Sequence, residues 1–346
     1  MKKIFLIQRG RQKSAKELFL NLNLPDYYYD FRSWNKFSFL NSIALLLKAF
    51  LTSFEQPKDI DVLLCEGSLC TLVGIFYKMF NKKVFLISYI IDPAFWIKNK
   101  KRIKIGPKFR AFLHSKYVGH TVCVSNMVLN DGLKNKFINQ DNSSVIPLHS
   151  TLKVSGPLVK YKDRSFNKLK IISLIYVIDR PSETSYTKGL DIVFEICERL
   201  FKHNKNFKLS IFGRGTEDIK LERPWLLKKG FSNLLTHEYK KADFLLLSSR
   251  YDAGNISVLE AISHGLIPIV SSNVGTSNYL EANLPDKLKL VHNLNDVQNW
   301  ANTILNINNL EPKIKDSLII ELQENIKQVN LKNATTQFQK LIYEVI

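Results

Sequence analysis

Short apolar runs that alternate with segments of helical periodicity constrain this chain more than any other feature. KKIFLIQ (2–8) reads as a strand, 15–22 and 39–54 as helices, and 61–65 as a second strand. Glu66-Gly67-Ser68 then opens a helix that runs to Phe80. Strands follow at 83–91 and 121–125, a helix at 126–133, and a closing strand at Val145-Ile146-Pro147. Strands that alternate with helices predict a parallel sheet covered on both faces. The pattern lapses at 151–168, where Gly156, Pro157 and several charges show no period, and then restarts. Strands are expected at 169–177, 207–212, 244–247 and 267–270, helices at 188–201, 234–241 and 257–264, and mostly helix from 296 onward. The expected fold is α/β, two doubly wound Rossmann-like domains facing a cleft. Their spans are 1–165 and 166–330, with a final helix, 331–346, returning to the first.

A chain of 346 residues with 45% hydrophobic content can fill two such cores. Cys65, Cys70, Cys123 and Cys197 are scattered without a Cys-x-x-Cys pair and read as reduced core thiols of a cytosolic protein. The apolar run Ile4–Ile7 stops at Gln8 and Arg9, too short for an export signal. The longest apolar stretch, Ser42–Phe54, is broken by Lys48 and falls short of a membrane span.

Charge is unevenly distributed. Residues 1–165 carry 27 Lys and Arg against 11 Asp and Glu, net +16, while 166–346 carry 23 against 20, net +3. One basic half implies an anionic partner on one side: nucleic acid, an anionic membrane or a phosphorylated acceptor. No nucleic-acid-binding motif is visible, and the charges interleave with core patterns, so nucleic acid is not expected.

The chemistry concentrates in RYDAGNISVLEAISHGLIPIVSSNVG (250–275). A strand ends, a loop follows, and a helix begins near Ile256 or Ser257. Free backbone N–H groups and the positive end of the helix dipole suit a diphosphate there, and Gly254 permits close approach. Glu260, one turn into the helix, can accept from ribose hydroxyls, and Asp252 can reach a sugar beyond the diphosphate. Gly265 ends the helix. Asp59-Ile-Asp61 lies before a strand rather than after one, so its metal-binding spelling is read as chance. His114, His120 and His149 are read as core or surface residues.

This segment resembles the signature of the large retaining family of GT-B glycosyltransferases (family 4-like, group 1) that includes many bacterial surface-polysaccharide enzymes. Two acidic residues separated by seven precede Ala261, Gly265, Pro268 and Val270 in the family's Ala-x-x-x-Gly-x-Pro-x-Val pattern. Lys188-Gly189, LSIFGRG (209–215), LLKKGFSN (226–233), KADFLLLSS (241–249), VCVSNMVLNDGL (122–133) and VIP (145–147) extend the resemblance over 120–275. It implies a C-terminal domain that binds a nucleotide-sugar donor, UDP-sugar first and GDP-sugar second, and a basic N-terminal domain that binds the acceptor. Arg180 and Lys188 would neutralise the leaving diphosphate. Glu260 would hold the ribose and Asp252 the donor sugar. Gly254, Asn255, Ile256 and Ser257 would line phosphate or sugar, and Gly213, Gly230 and Phe231 would complete the nucleotide side. Gly10, Glu66 and Asp92 are acceptor-side candidates, with a helix-entry cap before Pro93 as the other reading of Asp92. No metal and no resident cofactor is implied. Asp252 stands where the family has Glu, Asn255 where Gly is usual, and Asp179 before Arg180 where Gly is usual.

The implied activity is sugar transfer to a saccharide or lipid-linked saccharide in synthesis of lipopolysaccharide, O-antigen or capsule. The setting would be cytoplasmic, peripheral on the inner face of the membrane. Trp34, Phe37, Phe39, Phe95 and Trp96, set among lysines, are the expected docking residues. The rivals are a nucleotide-sugar epimerase or hydrolase on the same fold and a non-catalytic protein that binds anionic surfaces.

Overall fold

The computed structural model describes residues 3–8, 13–24, 26–28, 39–96, 105–150, 169–174, 186–281 and 288–345. The chain forms two units, Met1–Thr151 with Val329–Ile346, and Leu152–Gln328. Gly10, Trp34, Phe37, Arg180 and the 151–168 segment lie outside the described residues.

The first unit contains β1 (Ile4–Gln8), α1 (Lys13–Leu22), β2 (Asp26–Tyr28), α2 (Phe39–Phe54), β3 (Val62–Glu66), α3 (Gly67–Phe80) and β4 (Phe85–Ile90). It continues with α4 (Ile105–Tyr117), β5 (His120–Cys123), α5 (Asn126–Lys134) and β6 (Ser143–Val145). The strands pair in the order β2-β1-β3-β4-β5-β6, all parallel. β3 is buried along its whole length, as expected of a strand covered on both faces. Two of these elements, the short edge strand β2 and helix α4, have no counterpart in the sequence reading.

Asp61, the second member of the Asp-x-Asp spelling, accepts a hydrogen bond from the Lys3 amide at 2.7 Å and so ties the start of β1 to β3. All four cysteines are buried and outside any disulfide. Burial pushes the Cys123 thiol up to about 12, and it raises Cys65 and Cys197 as well. These thiols behave as core side chains.

The second unit contains β7 (Leu169–Leu174), α6 (Leu190–His203), β8 (Phe207–Phe212), β9 (Leu226–Gly230), α7 (Leu235–Tyr239) and β10 (Phe244–Leu247). After these come α8 (Ile256–Ser263), β11 (Ile267–Ser271), β12 (Val291–His292), α9 (Val297–Asn308) and α10 (Pro312–Ile326). Its parallel sheet has the order β12-β11-β10-β7-β8-β9. LLKKG, read as part of a loop, is the edge strand β9, paired along β8 with a register shift between Ile211 and Phe212.

The last helix, α11 (Leu331–Val345), packs against α1 in the first unit. Phe338 is fully buried between Phe19 and Tyr89, its ring centroid 6.2 and 5.0 Å from theirs. Truncating such a side chain removes its burial energy and leaves a cavity. Phe338→Ala is expected to cost the first unit about 3–5 kcal/mol, read from its urea unfolding midpoint.

His114 lies buried on α4, its Nε2 2.9 Å from Thr121 Oγ1 and its ring edge-on to Phe95. Burial lowers its pKa from 6.5 to about 4. The unfolded chain therefore takes up this proton at a higher pH than the folded one. The stability it contributes is complete above pH 6.5 and is lost as pH falls toward 4. Between pH 7.5 and 5 this group is expected to account for a loss of ~2 kcal/mol. Parallel urea titrations of wild type and His114→Gln should show that much less pH dependence in the variant.

Candidate active site

The strand order of the second unit reverses between β7 and β10, which makes this the point where an open α/β sheet gathers ligands beyond its strand ends. Two connections meet there, one leading from β7 into α6 and one from β10 into α8. Gly189 occupies the left-handed region (φ +72) at the start of α6, and a Cβ on it would lie 2.0 Å from the Ser248 carbonyl oxygen. Only glycine allows the two backbones to come this close. Ser248 Oγ donates to Gly189 O at 2.8 Å and closes the contact.

Arg250 fastens the same two connections from the outside. Its amide donates to Thr187 O at 2.7 Å, and Nη1 donates to Tyr186 O at 2.6 Å. Its fork holds Asp191 at 2.8 and 2.7 Å, and its guanidinium lies 3.8 Å over the Tyr186 ring. The hydrogen bond from Arg250 holds the Asp191 carboxyl below its ordinary pKa, and Asp191 in turn raises Arg250.

The clamp presents Lys188 to Asp252. Lys188 Nζ lies 2.5 Å from Asp252 Oδ2, which also accepts from Asn255 Nδ2 at 2.7 Å. Asn255 is the N-cap of α8, its Oδ1 accepting from the Ser257 amide at 2.9 Å. Of the amides in Gly254–Ser257, Ser257's is therefore engaged by the cap, and Asn255 is turned onto the protein's own groups. Asp252 is fixed through its backbone as well: its amide donates to Asn273 O and its carbonyl accepts from Gly275. A cation, a carboxylate and a helix N-terminus thus share one spot, an arrangement suited to a phosphorylated, hydroxyl-bearing ligand.

Glu260 sits one turn further along α8. Tyr239 Oη, buried at the end of α7, donates to Glu260 Oε2 at 3.4 Å. The Gly213-Arg214-Gly215 turn and the end of β9 form a second cluster. Gly213 donates to Gly230 O at 2.8 Å, the Gly230 amide donates to Thr216 Oγ1 at 3.0 Å, and Thr216 Oγ1 donates to Gly213 O at 2.8 Å. The exposed Phe231 ring lies 5.1 Å under the Arg214 guanidinium, a flat surface of the kind a base can stack on.

Residues 175–309, which include both clusters, match the family described as glycosyl transferases group 1. The match covers most of the second unit. The chain is 26% identical over 280 residues to a poly(ribitol-phosphate) alpha-N-acetylglucosaminyltransferase of Staphylococcus aureus (strain COL), covering 76% of this chain and 52% of the relative. It spans about half the length of that relative. Among solved structures it resembles Anabaena Alr3699/HepE in complex with UDP and glucose (TM-score 0.72, 12% identity, 99% of this chain and 100% of that one). It also resembles a UDP-forming trehalose-phosphate synthase from Burkholderia xenovorans (TM-score 0.77, 10% identity, 98% of each chain). These structures establish a GT-B fold built of two parallel-sheet α/β units.

Of the residues singled out in the sequence, the second unit brings Lys188, Asp252 and Asn255 into contact and sets Glu260 against Tyr239, while Tyr239 itself and the Arg250–Asp191–Tyr186 clamp had no place in the sequence reading. Arg250 and Asp191 stand 59 positions apart, and no local period announces their pairing. In the first unit Asp92 Oδ2 accepts from both the amide and the hydroxyl of Ser68, at 3.1 and 2.7 Å. It caps α3 across the sheet rather than the chain entering at Pro93. Glu66 is buried at the end of β3. Phe95 is buried against Phe137 and His114, so it is not a docking residue.

Gly189→Ala is expected to destabilise the second unit by roughly 3 kcal/mol or more, because the backbone conformation and the Ser248 carbonyl both oppose a Cβ. Arg250→Ala should cost about 1–3 kcal/mol through its lost charged hydrogen bonds, with Arg250→Lys recovering part of that. Thermal unfolding of the three variants beside wild type checks both.

Proposed function

We propose that this protein is a glycosyltransferase that moves a sugar, with retention at the anomeric carbon, from a UDP-sugar to a hydroxyl of a bacterial surface polymer or its lipid-linked precursor. The observation that carries this reading is the Lys188–Asp252–Asn255 cluster at the N-terminus of α8, set at the switch point of the second sheet. The Staphylococcus relative, named for transfer of N-acetylglucosamine to poly(ribitol-phosphate), makes a polyol-phosphate polymer an acceptor class beside saccharides. Such an acceptor is itself anionic, which suits the basic N-terminal half. A UDP donor is favoured over GDP because UDP is the nucleotide named for both solved neighbours. The reaction is placed on the cytoplasmic side, where nucleotide sugars are made.

In this reading the bond from the anomeric carbon to the β-phosphate oxygen breaks, and the acceptor hydroxyl oxygen bonds to that carbon. The hydroxyl proton passes to the departing diphosphate. Lys188 and the α8 N-terminus meet the negative charge that develops on the diphosphate, which lowers the barrier. Asp252 exchanges part of its present pairing for sugar hydroxyls, and Glu260, steadied by Tyr239, receives the ribose. The step needs no resident cofactor. Arg180 is proposed, from the family resemblance alone, to act with Lys188 as a second cation on the diphosphate.

A ligand that binds only the folded state raises the unfolding temperature in proportion to ln(1 + [L]/Kd). UDP is expected to stabilise wild type, and Glu260→Ala is expected to abolish that shift. Lys188→Ala should retain the fold and lower kcat about 10²–10³-fold with UDP-N-acetylglucosamine and a poly(ribitol-phosphate) acceptor. UDP-sugar turnover that yields no glycosylated acceptor would favour an epimerase or hydrolase on the same fold. Absence of any nucleotide-dependent shift would remove the donor assignment.

A further inference from the structure

The second half of helix α2, residues 46–54, buries small and polar side chains: Ala49, Thr52 and Ser53 are buried, and Gln56 just beyond the helix is buried with them. Thr52 and Ser53 donate back to the carbonyls of Lys48 and Phe50. Phe50 is half-buried against Phe76, but three large apolar side chains face water. Leu47, Leu51 and Phe54, spaced four and three apart on one stripe, are 57%, 61% and 60% exposed. The stripe continues onto α3, where Phe80 is 56% exposed with its ring centroid 5.2 Å from that of Phe54. On α4, which packs beside α3, Phe112 is also exposed. A monomeric soluble surface seldom carries such a contiguous apolar ridge without a partner.

The charge around the ridge is mostly positive. None of the three helices contains an Asp or Glu. Lys48 and Lys78 lie on them, and exposed Lys58, Lys82 and Lys83 follow the ends of α2 and α3. Glu55 and Asp59, in the turn after α2, are the acidic groups at its edge. A second copy of the chain would bring like lysines face to face, and a nucleic acid would leave the leucines and phenylalanines uncovered. An anionic lipid leaflet satisfies both features, taking the apolar ridge into its acyl boundary and the lysines at its headgroups. No described helix is long and apolar enough to cross a membrane, so the contact is lateral.

We propose that the α2–α3 ridge, with Leu47, Leu51, Phe54 and Phe80 at its crest, is the surface by which this protein docks on an anionic lipid bilayer. The inference is independent of the donor reading. It places the contact on α2 and α3 rather than on Phe95 and Trp96.

Co-sedimentation of the full chain with phosphatidylcholine vesicles, with and without 30% phosphatidylglycerol (on the order of a plasma-membrane anionic fraction), tests it. Wild type is expected to bind the anionic vesicles, and Leu51→Glu/Phe54→Glu to lose binding at least tenfold while keeping its UDP-dependent or intrinsic unfolding temperature. Lys82→Gln/Lys83→Gln should bind more weakly and with less salt dependence. A second readout does not depend on the charged variants folding. The four native cysteines are buried, so Leu51→Cys can be labelled alone with an environment-sensitive dye. A blue shift on adding anionic vesicles supports the proposal. No shift, equal binding to neutral vesicles, retained binding by the Glu variant, or a dimer in sedimentation velocity that the Glu variant converts to monomer would each overturn it.

Discussion

The candidate site depends on one close approach, that of Gly189 to Ser248 across the switch point of the second sheet. Parallel sheets bring successive loops to one end, but they do not bring two loops into van der Waals contact. That contact needs a residue without a Cβ in the left-handed region and an acceptor for the neighbouring hydroxyl. Once it exists, Arg250 can span it with a bidentate pair, a backbone bond and a stacked ring. Lys188 then lies beside Asp252 instead of in solvent. The charged pair is thus a consequence of backbone geometry secured from both sides.

The site's charges are balanced by its own groups. Asp252 is held by Lys188 and Asn255, and Asn255 by the helix it caps. A donor diphosphate at this place would have to compete with the Asp252 carboxylate for Lys188 and would find the Ser257 amide in use. Such self-pairing keeps a half-buried charge from standing alone, which is costly. It also means the departures from the family pattern, Asp252 for Glu and Asn255 for Gly, act as a pair joined by one hydrogen bond.

The two units use amphipathicity in opposite ways. In the second, α6 buries Ile192, Val193, Ile196 and Leu200, and its charges face out, as the helical period predicts. In the first, the second half of α2 turns Leu47, Leu51 and Phe54 outward. Period alone gives the width of an apolar stripe, whereas the direction of that stripe depends on what the neighbouring sheet and helices already fill. Here the space beneath residues 46–54 accommodates Ala49, Thr52 and Ser53, with Phe50 against Phe76, and those three larger side chains are left on the surface.

Strands 207–212 and 244–247 and the bounds of α2 were legible in the sequence, since apolar runs and helical periods are local. So were Lys188, Asp252 and Glu260, because they lie in one spaced motif and a helix start. β9 was not, because its LLKKG carries exposed lysines on an edge strand and looks like a loop. Asp92 as a cap on Ser68, Tyr239 on Glu260 and Arg250 on Asp191 were also out of reach, since each joins positions 21 to 59 apart. By itself the sequence determined that the chain would build two parallel sheets and that Asp252 and Asn255 would stand at a helix start, because alternating periods and loop composition are properties of neighbouring residues. Only the tertiary structure decided which carboxylate meets which cation and which helix face meets water, because those follow from the close packing of residues remote in the chain.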